Sequence, residues 1–107
     1  MSLLNTEVLP KLEGHYEVTV KSYKEISNKQ GGYVSIVLQF PDREYNFCLF
    51  PKRVDYLASC LRNQFGITEK VTLKELLDRA KTEAVNIWID WSEEYNSYNI
   101  AFHESVE

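Results

Sequence analysis

The sequence predicts a mainly β fold with helices inserted late in the chain, closing as a five-stranded antiparallel barrel. Two observations predict it. Alternating apolar and polar residues, the period-two mark of a half-buried strand, recur in three segments between residues 14 and 50 and in two more between 84 and 103. Residues 51–83 instead space their apolar side chains three and four apart, the helical period. An open α+β sheet with helices on one face is the alternative arrangement of the same elements.

Residues 1–13 are expected to be a leader to the domain at 14–107, with Leu3, Leu4, Val8, Leu9 and Leu12 available to tack it down. In the first strand Tyr16, Val18 and Val20 alternate with His15, Glu17, Thr19 and Lys21. Residues 28–32 end in Gly31-Gly32, a pair suited to the positive φ of a turn. The second strand sets Val34, Ile36, Leu38 and Phe40 on one face and Tyr33, Ser35, Val37 and Gln39 on the other. Pro41-Asp42 turns the chain into a third strand, where Tyr45, Phe47 and Leu49 oppose Glu44, Asn46, Cys48 and Phe50.

Pro51 suits the first turn of a helix, whose buried stripe is Val54, Leu57, Ala58, Leu61 and Phe65 and whose stop is Gly66. Thr72-Leu73-Lys74-Glu75 has the capping-box pattern of a second helix start, followed by Leu76, Leu77 and Ala80 on its buried side. The fourth strand turns Val85, Ile87, Ile89 and Trp91 inward and Asn86, Trp88 and Asp90 outward. Residues 93–97 make a polar turn, and the fifth strand buries Tyr98, Ile100 and Phe102. Three strands, two helices and two strands is the element order of the OB-fold, a small barrel often used to hold single-stranded nucleic acid.

A chain of 107 residues forms one domain with a core large enough to need no metal or disulfide. No apolar run approaches the ~18 residues of a membrane span, and no signal peptide opens the chain, so the cytoplasm is the expected compartment. Cys48 and Cys60 have no metal-site spacing and are expected to be two buried thiols. The net charge of −4 is uneven: residues 1–66 hold 8 basic against 7 acidic residues, and residues 67–107 hold 4 against 9. A basic surface on the first three strands is therefore compatible with the composition.

No phosphate-binding glycine loop, HExxH or GxSxG occurs, so neither enzymatic activity nor a cofactor is expected. His15 and His103 fall on outward faces without a nucleophile at a telling spacing, and Asp90, Glu93 and Glu94 read as a charged hairpin tip. Aromatics make up 13% of the chain, and strand parity leaves Tyr33, Trp88, Tyr23 and Phe50 on polar faces. Exposed rings on a sheet suit base stacking. Lys21, Lys24, Lys29, Arg43, Lys52 and Arg53 are the cations nearest these rings and the candidates to neutralise phosphates.

Residues 13–18 with their Gly14-His15-Tyr16 opening, Gly31-Gly32-Tyr33-Val34, and the run from Phe47 into Pro51 and Arg53 resemble small OB-fold single-strand-binding proteins of phages and mobile genetic elements. The resemblance covers roughly residues 13–65. It implies a role with single-stranded DNA in replication, recombination or transfer, beside a helicase or polymerase. It also implies that Tyr33, Lys21 and Lys24 lie on the binding sheet. The alternative function is a protein-interaction or inhibitor module that docks its acidic second half on a basic, nucleic-acid-binding partner.

Overall fold

The computed structural model describes residues 3–6, 8–29 and 31–102. Its strands are β1 (Gly14–Ile26), β2 (Tyr33–Gln39), β3 (Glu44–Leu49), β4 (Val85–Ser92) and β5 (Ser97–Ala101), with α1 (Pro51–Phe65) and α2 (Leu73–Ala80) between β3 and β4. All ladders are antiparallel, in the order β3-β2-β1-β4-β5. The thirteen-residue β1 organises them: its first half pairs with β4 and its second half with β2.

No backbone ladder joins the edge strands β3 and β5 among the described residues. Rings on these strands, and on Phe102 just after β5, nevertheless touch. Tyr45 meets Tyr98 edge-on at 5.2 Å between centroids, and Phe47 meets Phe102 at 5.6 Å. The sheet is therefore open along its hydrogen bonds and curled far enough for its two edges to share a seam of aromatic packing.

The core lies between the inner face of this sheet and the helices. Val18, Val20, Ile36, Leu38, Phe40, Val85, Ile87 and Ile89 of the sheet segments meet Leu57 and Leu61 of α1 and Leu76, Leu77 and Ala80 of α2. Each buried Val, Leu, Ile or Phe among them contributes about 1.5–3 kcal/mol relative to exposure. The helix ends follow the sequence signals. Gly66 adopts φ 69°, and the Ile67 N–H reaches Arg62 O while the Gly66 N–H reaches Asn63 O, so two orphan carbonyls of α1 are satisfied. The Thr72 hydroxyl accepts from Glu75 N–H at 3.1 Å and caps α2. Gly32, at φ 106°, has to be glycine, because a Cβ there would lie 2.4 Å from Ile26 O.

One irregularity changes the reading of β1. Val20 pairs with Leu38, but the next pair is Ser22 with Val37, so Lys21 is the extra residue of a β-bulge. A one-residue slip exchanges the faces of everything beyond it. Tyr23, expected on the polar face, instead pairs with Ile36 on the core side and packs against the core. Its hydroxyl donates to Asp78 of α2 at 2.6 Å.

The β4 edge has its own termination. β5 pairs with β4 only from Trp88 onward. Just before that point the Asn86 N–H donates to Gln64 Oε1 at 2.7 Å, and Gln64 Nε2 donates back to Asn86 O at 2.8 Å. A side-chain amide of α1 thus makes the pair of bonds a neighbouring strand would make.

Of the leader's apolar residues, Leu12 is buried and holds the segment, with its N–H donating to the Tyr98 hydroxyl at 3.1 Å. Leu3, Leu4 and Val8 are 88–95% exposed and do not tack it down. Cys60 is half-buried, whereas Cys48 is exposed on the outer face of β3, so the expectation of two buried thiols holds for neither in full. Burial pushes the Cys60 thiol up from its ordinary value. No helix among the described residues is long and apolar enough to cross a membrane.

Candidate nucleic-acid interface

The outer face of β1-β2-β3 is built in cross-strand rows. Ser22, Val37 and Asn46 form one row, Lys24, Ser35 and Cys48 the next, and Ile26 and Tyr33 begin a third. Phe50 completes that third row. It follows β3, serves as the N-cap residue of α1, is 54% exposed, and lies 5.4 Å from Tyr33 between ring centroids. Two of the four expected stacking residues are therefore adjacent, at the end of the sheet away from the β2–β3 turn.

The cations divide by position. Lys21 is ion-paired with Glu44 across the bulge, and Arg43 is ion-paired with Asp42 at 2.9 Å with its side chain only 15% exposed. The bond to Arg43 holds the Asp42 carboxyl below its ordinary range. These two cations sit near the β2–β3 turn and are already neutralised. Lys24, Lys29, Lys52 and Arg53 have no carboxylate partner among the described residues. Lys24 lies one row from Tyr33, Lys29 lies in the loop leading into it, and Lys52 and Arg53 lie two and three residues beyond Phe50. The first turn of α1 holds no acidic residue and Phe50 offers no capping acceptor, so the positive end of the helix dipole adds to the same patch.

Trp88 is placed elsewhere. It pairs with His15 at the start of β1, whereas Tyr33 pairs with Ile26 at its end. The two do not share one continuous row along β1. Trp88 is half-buried, and its ring lies 5.3 Å from His15. It lines an open groove of about 550 Å3 with Gly14, Arg53, Tyr56, Asp90 and Asn99. Arg53 is the link between the stations, three residues beyond Phe50 and a wall of the Trp88 groove, with its guanidinium 4.6 Å over the Tyr56 ring. The Trp88 indole N–H is enclosed and finds no acceptor among the described residues.

Tyr23 leaves the set of exposed rings. Lys81 Nζ lies 4.8 Å over its ring, and its phenol is raised from its ordinary pKa by the bond to Asp78. Asp78 also takes Lys74 at 2.8 Å. Bonds from Lys74 and Tyr23 lower its carboxyl to about 2. This cluster clamps α2 to β1. Tyr56 joins the site from outside the strands, where period-two alternation carries no information. It lies on a helix, its hydroxyl accepts from Phe102 N–H at 3.2 Å, and its ring supports Arg53. The only sequence signal for it was an aromatic three residues after an arginine in a helical stretch. His103 lies outside the described residues.

No protein-family model matches the chain, and no curated protein is similar to it at a significant level.

Proposed function

We propose that the chain is a non-enzymatic single-stranded-DNA-binding module built on an OB-type barrel, acting in replication, recombination or transfer of a phage or mobile element. The observation that carries the reading is the touching pair Tyr33–Phe50 beside Lys24, Lys29, Lys52 and Arg53, cations with no carboxylate partner among the described residues. Exposed aromatic faces stack bases of any sequence, and unpaired cations release counterions when they take phosphates. The barrel reading is supported by the strand order, the ring contacts between the edges β3 and β5, and the helices between the third and fourth strands. In this reading Trp88 is a second station, reached over the first turn of α1.

The test is a tryptophan-fluorescence titration with a mixed-sequence single strand at low and moderate salt. Affinity should fall steeply with salt. The double change Tyr33→Ala, Phe50→Ala should weaken binding about 10- to 100-fold, the equivalent of ~1–3 kcal/mol for a stacked base. Absence of binding at low salt would overturn the reading and favour a protein partner for the acidic second half.

A further inference from the structure

The groove beside Trp88 contains something a purely electrostatic strand-binding surface would not. Asp90 and Asn99 are cross-strand partners on β4 and β5, exposed on the outer face and lining the groove. Neither side chain makes a hydrogen bond or ion pair with another described residue. Ala101, opposite Trp88, and Gly14 keep the groove open beside the indole. Arg53, carried on the Tyr56 ring, forms another wall. The groove therefore combines a stacking surface, one fixed cation, one acceptor-only carboxylate and one amide that both donates and accepts.

A carboxylate repels a phosphodiester, so a strand in this groove does not run its backbone past Asp90. The phosphate belongs by Arg53, and the base edge by Asp90 and Asn99. That edge must then offer a donor to the carboxylate. Cytosine does so through its 4-amino group and adenine through its 6-amino group, each beside a ring nitrogen able to accept from Asn99. Guanine offers its 2-amino group, with its 6-oxo oxygen as an acceptor. Thymine has no exocyclic amino group, and its one donor on that edge, N3–H, is flanked by the 2-oxo and 4-oxo oxygens, which repel the second oxygen of the carboxylate. A site that hydrogen-bonds an amino group discriminates strongly against an analogue with an oxygen in its place, because acceptor then faces acceptor and the site's polar groups are left unpaired.

We infer that the Trp88 groove is a base-reading subsite that accepts bases bearing an exocyclic amino group and disfavours thymine, with Asp90 as the discriminating residue. This rests on the single-strand-binding reading and adds a base preference to it. The Tyr33–Phe50 station has no such carboxylate in its rows and stays indifferent to sequence.

The experiment compares (dC)20 with (dT)20 by fluorescence titration at one low salt concentration, for the unaltered chain and for Asp90→Asn. The unaltered chain should bind (dC)20 about tenfold more tightly, the low end of what a well-placed base-edge contact discriminates. Asp90→Asn should bring the two affinities together, since an amide turns to suit either edge, while the salt dependence persists. A second variant, Asp90→Ala, should do the same if the substitution in itself is harmless. Equal affinities in the unaltered chain, or a preference that survives both variants, would overturn the base-reading inference while leaving single-strand binding intact. Failure to bind either oligomer would remove the parent reading as well. Deoxycytidine monophosphate is the remaining arm. Saturation by the nucleotide at the concentrations that suffice for (dC)20 would make the groove a free-nucleotide site and overturn its assignment to a strand.

Discussion

At the turn end of the β2–β3 hairpin, Lys21 and Arg43 are held by Glu44 and Asp42. At the other end, Lys24, Lys29, Lys52 and Arg53 lie one row away from or a few residues along the chain from two touching rings and have no carboxylate partner among the described residues. Both ends are rich in cations, and a count by sequence treats them alike. The difference teaches that availability, set by cross-strand register, decides which lysine can meet a phosphate. A cation already bound to a carboxylate releases no counterion when a strand arrives.

The strongest way to break this contrast is to remove charge from each end separately. Lys24→Ala with Lys52→Ala should lower the slope of log K against log salt by about 1.4, near 0.7 for each phosphate contact to a single strand, and should weaken binding accordingly. Arg43→Ala should leave that slope unchanged. Equal losses from the two ends would show that the ion pairs do not matter.

A smaller effect sharpens the same map. Cys48 is exposed in the row beside Tyr33 and Phe50, whereas Cys60 is half-buried with its thiol shifted up. Bound single strand should slow maleimide labelling of Cys48 in proportion to occupancy and leave the slower reaction of Cys60 unaltered. Unchanged labelling of Cys48 at saturation would move the strand off this face.

The smallest expected effect concerns the clamp behind the sheet. The Asp78 carboxyl is lowered in the fold to about 2 from an ordinary 3.8. A lowered carboxylate contributes stability that is present above its unfolded pKa and is lost as pH falls through the folded value, here between about pH 4 and 2. Asp78→Asn should flatten that part of the melting-temperature profile without altering strand binding at neutral pH. A profile as steep as that of the unaltered chain would assign the acid loss to other groups.

Most strand faces were legible from period-two alternation, because inward positions such as Ile36, Leu38, Val85 and Ile87 are consistently apolar. The helix ends were legible for the same kind of reason: Pro51, Gly66 and Thr72 have local chemistry that does not wait for tertiary contacts. Tyr23 was misread because parity assumes an unbroken ladder, and nothing about Lys21 marks it as the extra residue. The pairing of Lys21 with Glu44 and the meeting of Arg53, Tyr56 and Trp88 depend on register and on where a helix docks. Neither is written in neighbouring residues. Tyr33 with Phe50 stood between these cases, since its rings were singled out one by one and only the fold made them a pair.

The two bonds between Gln64 and Asn86 also bear on the protein's behaviour in a crowded solution. An unpaired strand edge is a template on which other chains can add and fibrils can grow. Here one amide occupies the stretch of β4 that the short β5 leaves bare. Replacing Gln64 with leucine would retain much of the helix surface and uncover that template, so the cost would emerge as concentration-dependent aggregation more than as lost stability.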